Sequence, residues 1–130
     1  MGDAAARLDP DRLIEQACEL AGSDDFSDAD GWRENLSRLV DDLVSEADLS
    51  PIGVEVAAAD VIMPLRNRLQ ITHWRKHNPE IAHERIQRPI VIIGQPRTGT
   101  TILYDLLAQD PELRAPLTWE VDHPFPVPQP

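Results

Sequence analysis

Four residues around two glycines carry the clearest chemistry in this chain. Gly94-Gln-Pro-Arg-Thr-Gly-Thr-Thr101 places four residues between Gly94 and Gly99, directly after the β-branched run Ile90-Val-Ile-Ile93. A helical pattern follows, with Ile102, Leu103, Leu106 and Leu107 apolar. A glycine pair at this spacing, between a buried strand and a helix, is the context of a phosphate-binding loop. Glycines let the backbone curl until several N–H groups point at one anion. The helix opening near Gly99 adds its own unpaired N–H groups and the positive end of its dipole. Thr98, Thr100 and Thr101 bring hydroxyls to the same mouth, and Arg97 brings the cation.

A nucleoside triphosphatase needs Lys directly after the second glycine, where it contacts the β- and γ-phosphates. Thr100 occupies that position here. The cation sits two residues before Gly99, at Arg97, which suits a smaller group: one phosphate carrying one further transferable anion.

Other residues are weaker candidates. Glu120 lies 23 positions beyond Arg97 and reads either as a general base or as a structural carboxylate. Trp119 reads as packing or as a pocket wall. His73 and His77, at i and i+4, have a spacing that can bind a metal. No third ligand is spaced to match, so no metal is expected. His83 reads as a surface residue, and His123 as one too or as part of an acceptor pocket. Cys18 reads as a small buried hydrophobe.

These residues need elements to hold them. Asp9-Pro10 reads as a cap followed by proline at the first helical position, and Gly22 as the stop. Leu13, Ala17 and Leu20 form the first apolar face. A second helix opens at Asp30 or Gly31, with Leu36, Leu39, Val40, Leu43, Val44 and Ala47 as its stripe. Ser50-Pro51 opens a third, carried by Ile52, Val56, Ala59, Ile62, Leu65 and Leu69. Pro64 is expected to kink or end it, and Thr72 to cap a separate short helix reaching His77. Ile90–Ile93 reads as a buried parallel strand, and Pro116–Trp119 as a weak second one. The expected organisation is a helical region over 1–86 and a strand–loop–helix region over 87–130.

Composition bounds the function. The chain has 130 residues and a net charge of −11, with 42% apolar residues. Residues 1–60 hold 16 acidic and 4 basic side chains; residues 61–130 hold 7 and 8. The acidic half argues against a nucleic-acid surface, and an anion would meet the other half. No apolar run approaches the roughly 20 residues of a membrane span. A single cysteine excludes an internal disulfide framework and suits a reducing, cytoplasmic setting. The proline-rich end, with 6 of 12 prolines between Pro111 and Pro130, looks like the middle of a loop.

Pro96-Arg-Thr-Gly-Thr-Thr101 after Val-Ile-Ile-Gly resembles the 5′-phosphosulfate loop of the sulfotransferase family, whose donor is 3′-phosphoadenosine 5′-phosphosulfate (PAPS). The likeness extends to Leu69–Trp74, His77–Ile81, Glu84–Pro89 and Thr118-Trp-Glu120. It is greatest with bacterial members that place a helical region before the loop. The resemblance implies an α/β fold of the P-loop sulfotransferase type, incomplete in this chain, behind an all-helical N-terminal region. It implies that Arg97 contacts the bridging oxygen and 5′-phosphate, and that Thr98, Gly99, Thr100 and Thr101 hold the phosphosulfate. It implies a general-base role for Glu120 toward a small-molecule hydroxyl acceptor, with no metal. The family's 3′-phosphate site uses an Arg and a Ser well downstream, so the chain is expected to be an N-terminal portion, inactive alone. Two other readings stay open: another P-loop transferase or kinase, and a non-catalytic helical module with a remnant loop. Self-association through the helical region is a further expectation.

Overall fold

A computed structural model of the chain describes residues 6–27, 31–95 and 97–125. The chain divides into two compact units, residues 1–79 and 80–130. Asp30, Pro96 and the end from Pro126 to Pro130 lie outside the described residues.

The first unit is helical. Helix α1 spans Pro10–Ala21; the Asp9 carboxylate accepts from Arg12 N–H, and Gly22 closes the helix at φ 65°. A left-handed closing residue is cheap only for a residue without Cβ. Helix α2 spans Trp32–Ser45, opening from Gly31. Helix α3 spans Pro51–His77, capped by the Ser50 hydroxyl, which accepts from Gly53 N–H.

Helix α3 departs from expectation in three ways. Pro64 lies inside it without ending it. The ring removes one backbone bond, a cost of about 3 kcal/mol or more, but Val61, Ile62, Leu65 and Leu69 are all buried around it, and their burial offsets that cost. Thr72 caps nothing: it is an interior residue, and Asn78 ends the helix by donating from its backbone N–H and from its side-chain amide to Trp74 O, each at 2.9 Å. The buried stripe begins with Val54 and Ala58, while Ile52 and Val56 are exposed. Alanine and valine repeat on two faces here, and the expected stripe takes the exposed one over Ile52, Val56 and Ala59.

One core joins the three helices. Leu8, Leu13, Ala17, Phe26, Leu36, Val40, Val54, Ala58, Val61, Ile62, Leu65 and Leu69 are buried in it. Helix α1 packs chiefly along α3. Cys18 is half-buried against this core, and burial, with Asp24 nearby, pushes its thiol pKa up. Of the expected stripe on α2, Leu36 and Val40 are buried while Leu39 is exposed. Phe26 stacks on Trp32 with ring centroids 4.4 Å apart. Arg68 donates to Phe26 O at 3.1 Å and lies over the Trp32 ring, which ties the segment between α1 and α2 to α3. Arg7 pairs with Glu55 at 2.9 Å, and Lys76 with Asp25.

The second unit holds the loop. A 3-10 turn covers Pro79–His83, helix α4 spans Thr100–Leu107, and the short helix α5 spans Thr118–Asp122. Among the described residues there is no β-strand. Ile90–Ile93 carries no ladder because a strand requires a neighbour's backbone, and Val91 and Ile93 are largely exposed. Pro116–Trp119 is not a strand either. Leu117 N–H donates to Glu120 Oε2 at 2.7 Å, so Glu120 satisfies the first turn of a helix in place of an extended segment. The α/β character expected from sequence is therefore absent from the described residues, and no described residue of this unit is buried. No described helix is long and apolar enough to cross a membrane.

Candidate functional site

The loop comes together in a conformation that needs its glycines. A Cβ on Gly94 would lie 2.7 Å from Thr100 Cγ2 and 2.8 Å from Thr98 Oγ1; only glycine lets the backbone at position 94 lie this close to the Thr98 and Thr100 side chains. Gly99 has φ 91° and ψ 13° and is the residue before the helix. It supplies no side-chain cap, which leaves the first N–H groups of α4 without that partner, as an anion site at a helix start requires.

Arg97 is also left-handed, at φ 69°. A non-glycine residue in this region stores strain on the order of 1–3 kcal/mol and is a feature of ligand clamps. Its side chain is exposed. The Thr98 hydroxyl donates to Gln95 O at 2.7 Å, so its proton closes the loop upon itself. Thr100 and Thr101 open α4, and both border an open groove of 380 Å³ shared with Ile92, Tyr104, Thr118 and Asp122. Tyr104 donates its hydroxyl proton to Pro116 O, which fixes α4 against the segment leading to α5.

Glu120 sits at the third position of α5, half-buried. Its Oε1 accepts from Arg114 Nη2 at 2.7 Å and its Oε2 from Leu117 N–H at 2.7 Å. Sequence reasoning missed Arg114. The signal was available: a basic residue six positions before a candidate carboxylate, across a turn containing Pro116. Trp119 is 48% exposed, which fits a wall better than a core residue.

A second cleft, of 370 Å³, lies between the Ile86–Ile92 segment and α4, with Tyr104, Leu107 and Arg114 among its walls. The imidazoles of His73 and His77 meet on the last turns of α3, centroids 4.1 Å apart. Among the described residues, no three His, Cys, Asp or Glu gather as a metal site.

Comparison with known proteins agrees with the loop. A model of the sulfotransferase family matches residues 89–129. The crystal structure of the sulfotransferase STF1 from Mycobacterium tuberculosis H37Rv is similar at 37% sequence identity and a TM-score of 0.78. The match covers 92% of this chain and 33% of that one, so the chain spans about a third of the length of that relative and shares its fold over that part. No curated protein matches the chain. The glycine-closed loop, the uncapped helix start and both likenesses agree, and the chain belongs to the sulfotransferase family.

Proposed function

We propose that this chain forms the donor-phosphosulfate part of an enzyme that transfers a sulfuryl group from PAPS to a hydroxyl acceptor. The observation that carries this reading is the loop: Gly94 packed where no Cβ fits, Gly99 left-handed and uncapped, and Arg97 held at its crown. A cradle of backbone N–H groups with one guanidinium fits a phosphosulfate. It lacks the lysine that a triphosphate requires.

The donor supplies the sulfuryl group and a nucleotide leaving group. Backbone N–H groups from Thr98 to Thr101, with the Thr100 and Thr101 hydroxyls, hold its anionic end. Arg97 balances the charge that grows on the bridging oxygen as the sulfur–oxygen bond breaks, the stage at which fixed positive charge lowers a barrier most. Glu120 receives the proton of the acceptor hydroxyl as its oxygen attacks sulfur. Each carboxylate oxygen keeps a second lone pair beyond its bond to Arg114 or Leu117, so the carboxylate is oriented without being saturated. No step requires a metal.

The chain spans a third of its solved relative, and the 3′-phosphate of the donor is assigned to residues outside it. Turnover is thus proposed for a longer protein, and donor-end binding for this chain. Isothermal calorimetry with adenosine 3′,5′-bisphosphate on the wild-type chain and on Arg97→Ala tests the reading. A loss of at least about tenfold, or 1.4 kcal/mol, is expected in the variant; equal affinity removes Arg97 from the site. Tighter binding of ATP with magnesium would favour a kinase-type reading instead.

A further inference from the structure

We propose that His73 and His77 form a two-imidazole chelate for a borderline divalent transition metal, with Cu²⁺ preferred over Ni²⁺ and Zn²⁺. The pair lies on the last two turns of α3, wholly inside the first unit. Both residues are exposed, so loading a cation there requires no burial of charge.

The two rings already share one face of the helix, with centroids 4.1 Å apart and 33° between ring planes, and turning the His73 ring about its χ angles is what would bring a second ring nitrogen to the same ion. His77 Nδ1 lies 2.8 Å from His73 O. A carbonyl oxygen only accepts, so Nδ1 carries the proton and the neutral ring keeps its lone pair on Nε2. A metal-binding histidine takes this arrangement: one nitrogen donates to a backbone carbonyl and the other ligates. Two histidines at i and i+4 on one helix face are also the ligand spacing of helical zinc sites.

The surroundings favour a cation. The helix C-terminus carries the negative end of the dipole and its unpaired carbonyls. Of the two neighbouring cations, Lys76 is paired with Asp25, which leaves Arg75 as the opposing charge on this turn. Two imidazoles leave the remaining coordination positions to water, so the third protein ligand that the sequence lacks is not required for binding, only for high affinity. The order of metals follows from the general stability series for nitrogen ligands, in which Cu²⁺ stands highest.

Calorimetry on the tag-free 130-residue chain with CuCl₂, NiCl₂ and ZnCl₂ separately tests the proposal. One ion per chain is expected, Cu²⁺ tightest, with at least tenfold weaker binding in His73→Ala and in His77→Ala. His83→Ala and His123→Ala should leave the affinity unchanged. Circular dichroism confirms that each variant keeps the wild-type helix content, and thermal unfolding with Cu²⁺ gives a second readout: the midpoint should rise for wild type and stay flat for His77→Ala. The absence of binding up to roughly 1 mM metal, or equal affinity in His77→Ala, overturns the proposal. The same holds if His83→Ala or His123→Ala weakens binding as much.

Discussion

Arg114 reaches across six residues to place its Nη2 2.7 Å from Oε1 of Glu120. With Leu117 N–H on the other oxygen, the carboxylate is held from two sides at the start of α5. The two bonds differ in worth. Arg114 is three-quarters exposed, so Arg114→Ala should cost less than about 1 kcal/mol. Glu120→Ala also strips the first turn of α5 of its acceptor, and should lower the stability of the second unit by more. Thermal unfolding of both variants gives the order; a larger loss in Arg114→Ala would contradict it.

Glu120→Gln separates structure from chemistry. The amide oxygen can still accept from Leu117, so α5 and donor binding should persist. In a longer, active form of the protein, turnover should fall by at least about 100-fold, the low end of a general base's contribution. Unchanged turnover would leave Glu120 a helix-start residue and no more.

Gly94→Ala tests the cradle. A methyl group at 2.7 Å from Thr100 Cγ2 and 2.8 Å from Thr98 Oγ1 forces the loop and the start of α4 apart. Affinity for adenosine 3′,5′-bisphosphate should drop at least tenfold while the first unit melts as in wild type. Normal affinity would mean that the loop closes differently.

Much of this was legible in the residues themselves. Asp9-Pro10, Gly22 and Ser50-Pro51 act through local bonds within one turn, so sequence alone places those helix boundaries. The loop was legible for the same reason: its glycines, Arg97 and threonines act through backbone conformation. The strand expected at Ile90–Ile93 does not form in the described residues, because a ladder depends on a partner strand that no local pattern supplies. Pro64 misled because its penalty is local, whereas the burial of Ile62, Leu65 and Leu69 that outweighs it is tertiary. Pro116–Trp119 misled because the Leu117–Glu120 bond outweighs β-propensity over so short a stretch.

Leu69 is fully buried at the centre of the first unit. Leu69→Ala should destabilise that unit by about 2–5 kcal/mol, read by chemical denaturation followed through Trp32 and Trp74 fluorescence. A change below 1 kcal/mol would contradict the packing of α3 described above.

Acid stability should depend on two ion pairs. Hydrogen bonds from Lys76, then from Ser27 N–H, hold the Asp25 carboxyl below its ordinary value, and Arg7 does the same for Glu55. Both folded-state values are depressed, so the stability they add is present above the unfolded values of about 3.9 and 4.3 and is lost as pH falls through the folded ones. Lys76→Met and Arg7→Met should each move the midpoint of acid unfolding to higher pH. A midpoint moving lower would reverse the sign of the linkage.

Residues 94–101 are proposed to bind the phosphosulfate end of the donor. Amide chemical shifts of the ¹⁵N-labelled chain, titrated with PAPS and separately with ATP and magnesium, test this most directly. Saturable shifts concentrated at Thr98, Gly99, Thr100 and Thr101 are expected with PAPS, weaker ones with ATP, and none of comparable size in Arg97→Ala. Shifts scattered away from this loop, or larger with ATP and magnesium than with PAPS, would contradict it.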